Sequence, residues 1–444
     1  MTTVPALAEL NFIVIPLLST SHLIPLADMA KLLAQQGVTV TLVTTALNAA
    51  RFTAAIDRAI RSGLLIRVVE LQFKGKDAGL PEGCENHNDV PGLNYRRQFF
   101  AAIDMLQEQT EKLLEDMKPK PSCIISDAYV AWTADTADKF QIPRIVFDGM
   151  SCFNQMCKHN MYILKDQNKI PESGTFVIPD LPDRIEVTKA QLPPISIQQE
   201  QLSYKIFRGN KGSFDKEDIL KKWLDSWEPE TVVYACFGSL GRITVVQFVE
   251  LALGLEASGY PFILVIKTGE GQAPIEEWIS KNGFEERTKE RGLLIRGWSP
   301  QVVILSHPAV GGFLTHCGWN STVEGISAGV PLITWPLFAE QFLNEKLLEH
   351  VLNIAVGVGS QAIVHLGEEE KFGSQVSNKA VTDATKKVMD KEKEGNKIRK
   401  RARELGEMAK RAVEDGESSH LNVMLLIKEI QEFQLNQSAK NALV

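Results

Sequence analysis

The sequence predicts an α/β protein of two Rossmann-like, doubly wound domains in tandem, and three observations carry that reading. A chain of 444 residues is longer than one hydrophobic core usually organises. Apolar runs of strand length alternate with stretches of helical period, first in one part of the chain and again in another. Between the two series lies a polar stretch that matches neither period.

Residues 11–18 are almost continuously apolar and read as a buried strand. Residues 24–36 carry helical periodicity, Gly37 supplies a stop, and residues 38–44 are β-branched and apolar, so the chain opens on one βαβ unit. Strands are expected again at 122–126 and 144–147, flanking a helix at 130–140. The pattern lapses at Leu192-Pro193-Pro194, and the polar segment that follows contains Arg208-Gly209-Asn210-Lys211-Gly212. A second series predicts strands at 231–237, 261–266, 292–296, 311–314 and 331–335, with helices at 245–258 and 321–328. The expected domains are therefore 1–205, a linker over 206–230, a second domain over 231–420, and a helix over 421–444 able to return to the first domain. The mixed charges of residues 386–419 read as the solvated face of terminal helices.

With 44% hydrophobic and 23% charged residues, the chain can bury large cores. Its 48 Lys and Arg against 55 Asp and Glu leave a net charge of −7, which offers no general attraction to nucleic acid or anionic lipid. Six cysteines without a CxxC pair suggest reduced thiols rather than a zinc site. Residues 1–10 lack a basic stretch, and the first apolar run is far shorter than the ~20 residues a bilayer demands, so a cytoplasmic protein without a span is expected.

The densest constellation is Gly311-Gly312-Phe313-Leu314-Thr315-His316-Cys317-Gly318-Trp319-Asn320-Ser321-Thr322-Val323-Glu324. An apolar strand leads through a glycine turn into a helix, whose first backbone N–H groups form an anion site. Ser321 and Glu324 also fit a capping box, and that structural reading stays open at this point. His316 at the strand end could be a satisfied polar residue or an N–H donor to a phosphate oxygen. Gly325-Ile326-Ser327-Ala328-Gly329 matches a hydrolase nucleophile elbow, but Ser327 would end a helix rather than open one. Gly357-Val358-Gly359 lacks the third glycine of a dinucleotide fingerprint.

Joint spacing decides between these readings. Trp298-Ser299-Pro300-Gln301, His307-Pro308, His316 to Ser321, Glu324-Gly325, Gly329-Val330-Pro331, Trp335-Pro336 and Glu340-Gln341 all fall within residues 298–341. This box resembles the donor-binding signature of plant family 1 UDP-glycosyltransferases, and similarity extends to residues 32–52 and 418–427. The resemblance implies a GT-B fold, two Rossmann-like domains facing each other across a cleft, with donor nucleotide held by the second domain and acceptor by the first. By that likeness Trp298 stacks on uracil, Gln301 helps hold the base or ribose, and Glu324 accepts from the ribose hydroxyls. His316, Asn320, Ser321 and Ser239 contact the diphosphate, while Trp319, Glu340 and Gln341 face the sugar, a final Gln going with glucose. The family's base is a histidine after the first strand, supported by an aspartate; His22 and Asp127 occupy those places. A neutral imidazole can take the acceptor's proton, and a carboxylate stabilises the imidazolium that forms.

The implied activity is inverting transfer of a sugar, glucose by preference, from a UDP-sugar to a hydroxyl of a lipophilic acceptor such as a flavonoid, other phenolic or triterpenoid. No metal or cofactor is implied, UDP-glucose being a co-substrate, and a monomer is expected. Apolar residues including Phe153, Met156 and Met161 suggest the acceptor pocket, unless they simply pack the domain. The rival reading is a nucleotide-sugar binding module without transfer activity, motivated by two departures. Ser21 stands where the family has Gly before the histidine, and several dozen family residues after Pro193-Pro194 have no counterpart. That shortfall implies either a first sheet short of its last strands or a chain interrupted between Pro194 and Phe214.

Overall fold

The computed structural model describes residues 10–90, 95–166, 169–192, 217–238, 241, 243–267, 272–364 and 375–441. Contacts divide the chain into two compact units, Met1–Gly149 with Arg411–Val444, and Met150–Lys410. In the first unit β1 (Asn11–Ile15), β2 (Thr39–Thr45), β3 (Ile66–Leu71), β4 (Cys123–Asp127) and β5 (Arg144–Phe147) form one sheet ordered β3-β2-β1-β4-β5. Every pair is parallel. All five residues of β1 are buried, because helices cover both faces of such a sheet and leave no polar side to alternate with. Strand order reverses between β1 and β4, which opens a crevice at their carboxyl ends. The Thr20–Gln35 helix starts at that edge. The outer strand β5 is less covered, with Val146 half exposed.

Strands β6 (Thr175–Ile178) and β7 (Ile185–Thr188) pair as a separate antiparallel hairpin in the second unit. They pack with the Cys152–Asp166 helix through a cluster of Cys157, Met161, Ile178, Ile185, Val187, Leu192 and Leu343. Contacts therefore join this segment to the second unit, and the division falls earlier in the chain than the expected boundary after residue 205. That boundary, the first part of the expected linker (206–216) and the stretch between Pro194 and Phe214 lie outside the described residues.

The main sheet of the second unit is ordered β10-β9-β8-β11-β12-β13, all parallel. Its strands are β8 (Val232–Cys236), β9 (Phe262–Ile266), β10 (Gly292–Arg296), β11 (Val310–Thr315), β12 (Leu332–Thr334) and β13 (Ala355–Gly357). Phe313 on β11 is fully buried and stacks on Tyr234 of β8; truncating it to Ala would remove about 3–5 kcal/mol of stability. The Val245–Ser258 helix begins at a capping box in which Thr244 Oγ1 accepts from Gln247 N and Gln247 Oε1 accepts from Thr244 N. It ends at Gly259, whose φ of 82° a side chain would resist. The charged run forms most of the Lys393–Ala412 helix, with surface pairs such as Arg401–Glu404 and Lys410–Glu407.

Candidate active site

In the first unit, β1 and β4 are neighbours, so a residue following β1 and one ending β4 reach the same sheet edge. His22 and Asp127 do so, with His22 Nδ1 2.7 Å from Asp127 Oδ2. Asp127 is 1% exposed, and its other oxygen accepts from the Tyr129 backbone N–H at 2.9 Å, which fixes the carboxylate plane. The Tyr129 ring meets the imidazole edge-on. With Nδ1 engaged by a carboxylate, Nε2 is the ring nitrogen left able to accept a proton.

The turn carrying His22 is held from outside. Ser19 makes no side-chain cap of its own helix; instead Asn88 Oδ1 accepts from Thr20 N at 3.0 Å and Ser19 Oγ at 3.2 Å. Asn88 and its buried neighbour His87 were not singled out in the sequence. Burial, then the charges of Arg96 and His22, push the His87 imidazole well below the usual histidine range, so it is neutral. The only sequence signal was a run of polar residues, Glu85-Asn86-His87-Asn88, too polar to be a strand and too short to be a helix.

In the second unit, His316 follows β11 and its ring is wedged between two glycines. A Cβ on Gly238 would lie 2.5 Å from its Cε1, and one on Gly318 would lie 2.4 Å from its Nε2. Burial, with the charge of Lys267, pushes the His316 imidazole down to about 4. The ring is thus neutral, and its Nδ1 is buried without a hydrogen-bond partner among the described residues. The following helix spans Trp319–Ala328 and begins two residues before the expected start. Its N-cap is Gly318, which carries no side chain, and no side-chain cap bond is made there among the described residues. The capping-box reading is therefore corrected, because Ser321 lies inside the first turn and Glu324 bonds elsewhere. An uncapped helix end of this kind offers N–H donors and a positive dipole to an anion.

Gln301 binds these residues into one network. Its Nε2 donates to Ser321 Oγ at 3.0 Å and Glu324 Oε2 at 2.6 Å, while its Oε1 accepts from the Tyr234 hydroxyl at 3.3 Å. Tyr234 also meets Ser299 Oγ at 2.7 Å. The Gln301 side chain thus orients Glu324 and Ser321, which is more specific than the expected contact with base or ribose. Tyr234 was not singled out in the sequence, and Ser299 stood in the donor box without a role of its own; a phenol inside the otherwise apolar β8 was the available signal, since a buried hydroxyl needs a partner. Trp298 is 52% exposed, which leaves its indole face open for a flat base.

Gln341 is 3% exposed, and its Oε1 accepts from Leu337 N at 2.9 Å and Phe338 N at 3.0 Å. Those two donors fix the amide orientation, so only its NH2 group remains to meet a sugar, as a donor alone. Glu340 is the half-buried N-cap of the same helix, and Trp319 and Asn320 are half-buried in the first turn beyond Gly318. Ser239 lies outside the described residues. Of the residues expected to form an acceptor pocket, Met161 is fully buried core and Phe153 packs on the same cluster, whereas Met156 is exposed. The helix bearing them supplies packing at the first two positions.

Comparison with known proteins agrees with this geometry. A family model described as UDP-glucoronosyl and UDP-glucosyl transferase matches residues 218–394. The chain is 43% identical to UDP-glycosyltransferase 73C2 of Arabidopsis thaliana over 485 aligned residues, covering 96% of this chain and 97% of that one. It is 42% identical to UDP-glycosyltransferase 73C25 of Barbarea vulgaris, over 95% and 97% of the two chains. An alignment of 485 positions exceeds the chain's 444 residues, so the relative has residues with no counterpart here. Among solved structures, Glycyrrhiza uralensis UGT73P12, complexed with glycyrrhetinic acid 3-O-monoglucuronide, aligns over 98% of both chains with 32% identity and a TM-score of 0.86. Phytolacca americana UGT2, complexed with UDP-2fluoro-glucose and pterostilbene, aligns over 95% of this chain and 99% of its own, with 25% identity and a TM-score of 0.72. Two parallel-sheet units in the GT-B class, the donor box of residues 298–341 and relatives 42–43% identical along nearly the whole chain lead to one conclusion: the protein belongs to the plant UDP-glycosyltransferase family and is a glycosyltransferase.

Proposed function

We propose that the chain transfers glucose from UDP-glucose to a hydroxyl of a lipophilic small molecule, with inversion at the anomeric carbon. The observation that carries the reading is the 2.7 Å contact between His22 and a buried Asp127 at the edge of the first sheet. His22 Nε2 takes the acceptor's proton as its oxygen attacks, and Asp127 stabilises the imidazolium. In the second unit, Trp298 stacks on uracil and Glu324, aligned by Gln301, accepts from the ribose. The uncapped end of the Trp319–Ala328 helix, with Asn320, Ser321 and the neutral His316, receives the diphosphate and stabilises departing UDP without a metal. Trp319 and Glu340 face the sugar, and the Gln341 NH2 group donates to one of its hydroxyls.

Glucose and a lipophilic acceptor are supported by the family pattern at Gln341 and by the ligands of the two structural neighbours. The free thiols of all six cysteines fit a reducing compartment such as the cytoplasm. No helix among the described residues is long and apolar enough to cross a membrane. Incubation with equal UDP-glucose and UDP-galactose and a panel of phenolic and triterpenoid acceptors, read by mass spectrometry, tests the proposal. Glucosides should dominate; galactosides, or products only from small hydrophilic acceptors, would refute it. UDP binding without product would favour a binding module.

A further inference from the structure

The turn that the donor's diphosphate would meet contains a backbone irregularity. Cys317 has φ of 65°, in the left-handed region that a side chain disfavours, and it is the middle residue of His316-Cys317-Gly318. Its own thiol is fully buried, so the turn does not adopt this shape to expose a reactive group. The Cys317 N–H reaches Thr315 Oγ1 at 3.3 Å, which satisfies the donor but does little to hold the carbonyl.

The carbonyl is held by Asn344, which donates from Nδ2 to Cys317 O at 2.8 Å. Asn344 Oδ1 in turn accepts from Asn154 Nδ2 at 2.7 Å, and both asparagines are fully buried. The orientation is unambiguous, because a backbone carbonyl needs a donor; the NH2 group must face Cys317, and Oδ1 must face Asn154. The Gln341–Lys346 helix bearing Asn344 also pins the Leu337–Phe338 backbone through Gln341 and meets Thr334 Oγ1 through Glu345. One short helix thus ties down the loops that follow β11 and β12.

We propose that Asn344 is a positioning residue for nucleoside diphosphate binding, holding Cys317 in its left-handed conformation so that the His316 ring and the Gly318 helix start face the diphosphate together. The inference rests on the donor-site reading above. Its logic is specific: the tie matters because residue 317 is not glycine. A glycine there adopts positive φ without help, so the turn would no longer depend on Asn344.

The experiment is titration calorimetry of UDP against the full chain and four variants, with thermal unfolding of each. Asn344→Ala should weaken UDP binding by about tenfold or more, the scale of one lost hydrogen bond plus backbone strain. Cys317→Gly alone should change it by less than about threefold, and in that background Asn344→Ala should have little further effect. The Asn154→Leu/Asn344→Leu pair, which removes both partners at similar volume, should stay folded and weaken UDP like Asn344→Ala. An Asn344→Ala effect equally large with Cys317→Gly present, or unchanged UDP affinity in the folded Leu pair, would overturn the assignment to Asn344. Failure of the wild-type chain to bind UDP would instead overturn the donor-site reading beneath it.

Discussion

Replacing Asp127 with Asn changes one atom of the His22 pair and should slow transfer far more than its size suggests. The Tyr129 N–H faces one oxygen of residue 127 at 2.9 Å and demands an acceptor there. The Asn amide must then turn its NH2 group toward His22 Nδ1, now 2.7 Å from a carboxylate oxygen. An NH2 donor makes Nδ1 an acceptor and places the imidazole proton on Nε2, the nitrogen needed as the base. The loss of a hydrogen bond to a charged group is worth about 1.5–3 kcal/mol, and restoring the useful tautomer requires leaving Tyr129 N–H unpaired, at roughly 1 kcal/mol. Together these place the effect at about 2.5–4 kcal/mol, or roughly seventyfold to a thousandfold in kcat. Steady-state kinetics with UDP-glucose and an accepted phenol, alongside UDP calorimetry, measures it. A kcat within about threefold of wild type, or a parallel loss of UDP affinity, would refute the reasoning, since the proposal assigns the donor contacts to residues of the second unit.

Three further outcomes follow from the second unit. Burial, and then the charge of Glu349, push the Glu345 carboxyl up to about 8 from an ordinary value of 4.5, so the folded protein keeps a proton that the unfolded chain releases. This group's contribution to stability is then fully present below about 4.5 and is lost as pH rises toward about 8; Glu345→Gln should remove that part of the pH dependence of Tm between these limits, and an unchanged slope would argue against it. Gln341→Glu keeps an acceptor for Leu337 N and Phe338 N but removes the NH2 donor, so glucose transfer should drop about tenfold or more while UDP affinity stays nearly constant. Gly318→Ala would place a Cβ 2.4 Å from His316 Nε2, and calorimetry should show weaker UDP binding in a protein that still unfolds cooperatively.

Much of this architecture was legible in the sequence because buried parallel strands leave a strong signature. β5, β10 and the Val245–Ser258 helix coincide with their expected bounds, being an apolar run between turn signals or a periodic stretch between a Thr cap and a Gly stop. The edge strand β3 was missed, since Arg67 and Glu70 interrupt its apolar run, and only a central strand needs two apolar faces. The β6–β7 hairpin escaped for a related reason, with alternate residues exposed and its buried face covered by a helix from elsewhere in the chain. In the site, residue types and spacing pointed to the glycine turn, and the family resemblance to His22 and Asp127; the fold sets all of them beside the edges of its sheets. The roles of the residues that hold them, Asn88, Tyr234, Ser299 and Asn344, were invisible because their partners lie 27 to 190 positions away. The side-chain orientations of Gln301 and Gln341 likewise depend on neighbours that spacing alone does not reveal.

The central claim divides labour between the two units, the base in one and the donor site in the other, and His22→Ala tests it most directly. Glucose transfer and UDP affinity should be measured on the same preparation of wild type and variant. The account predicts a loss of transfer of about a hundredfold to ten-thousandfold, the range of general base catalysis, with a UDP Kd changed by less than about threefold. Transfer surviving in His22→Ala, or UDP binding lost with it, would contradict the claim.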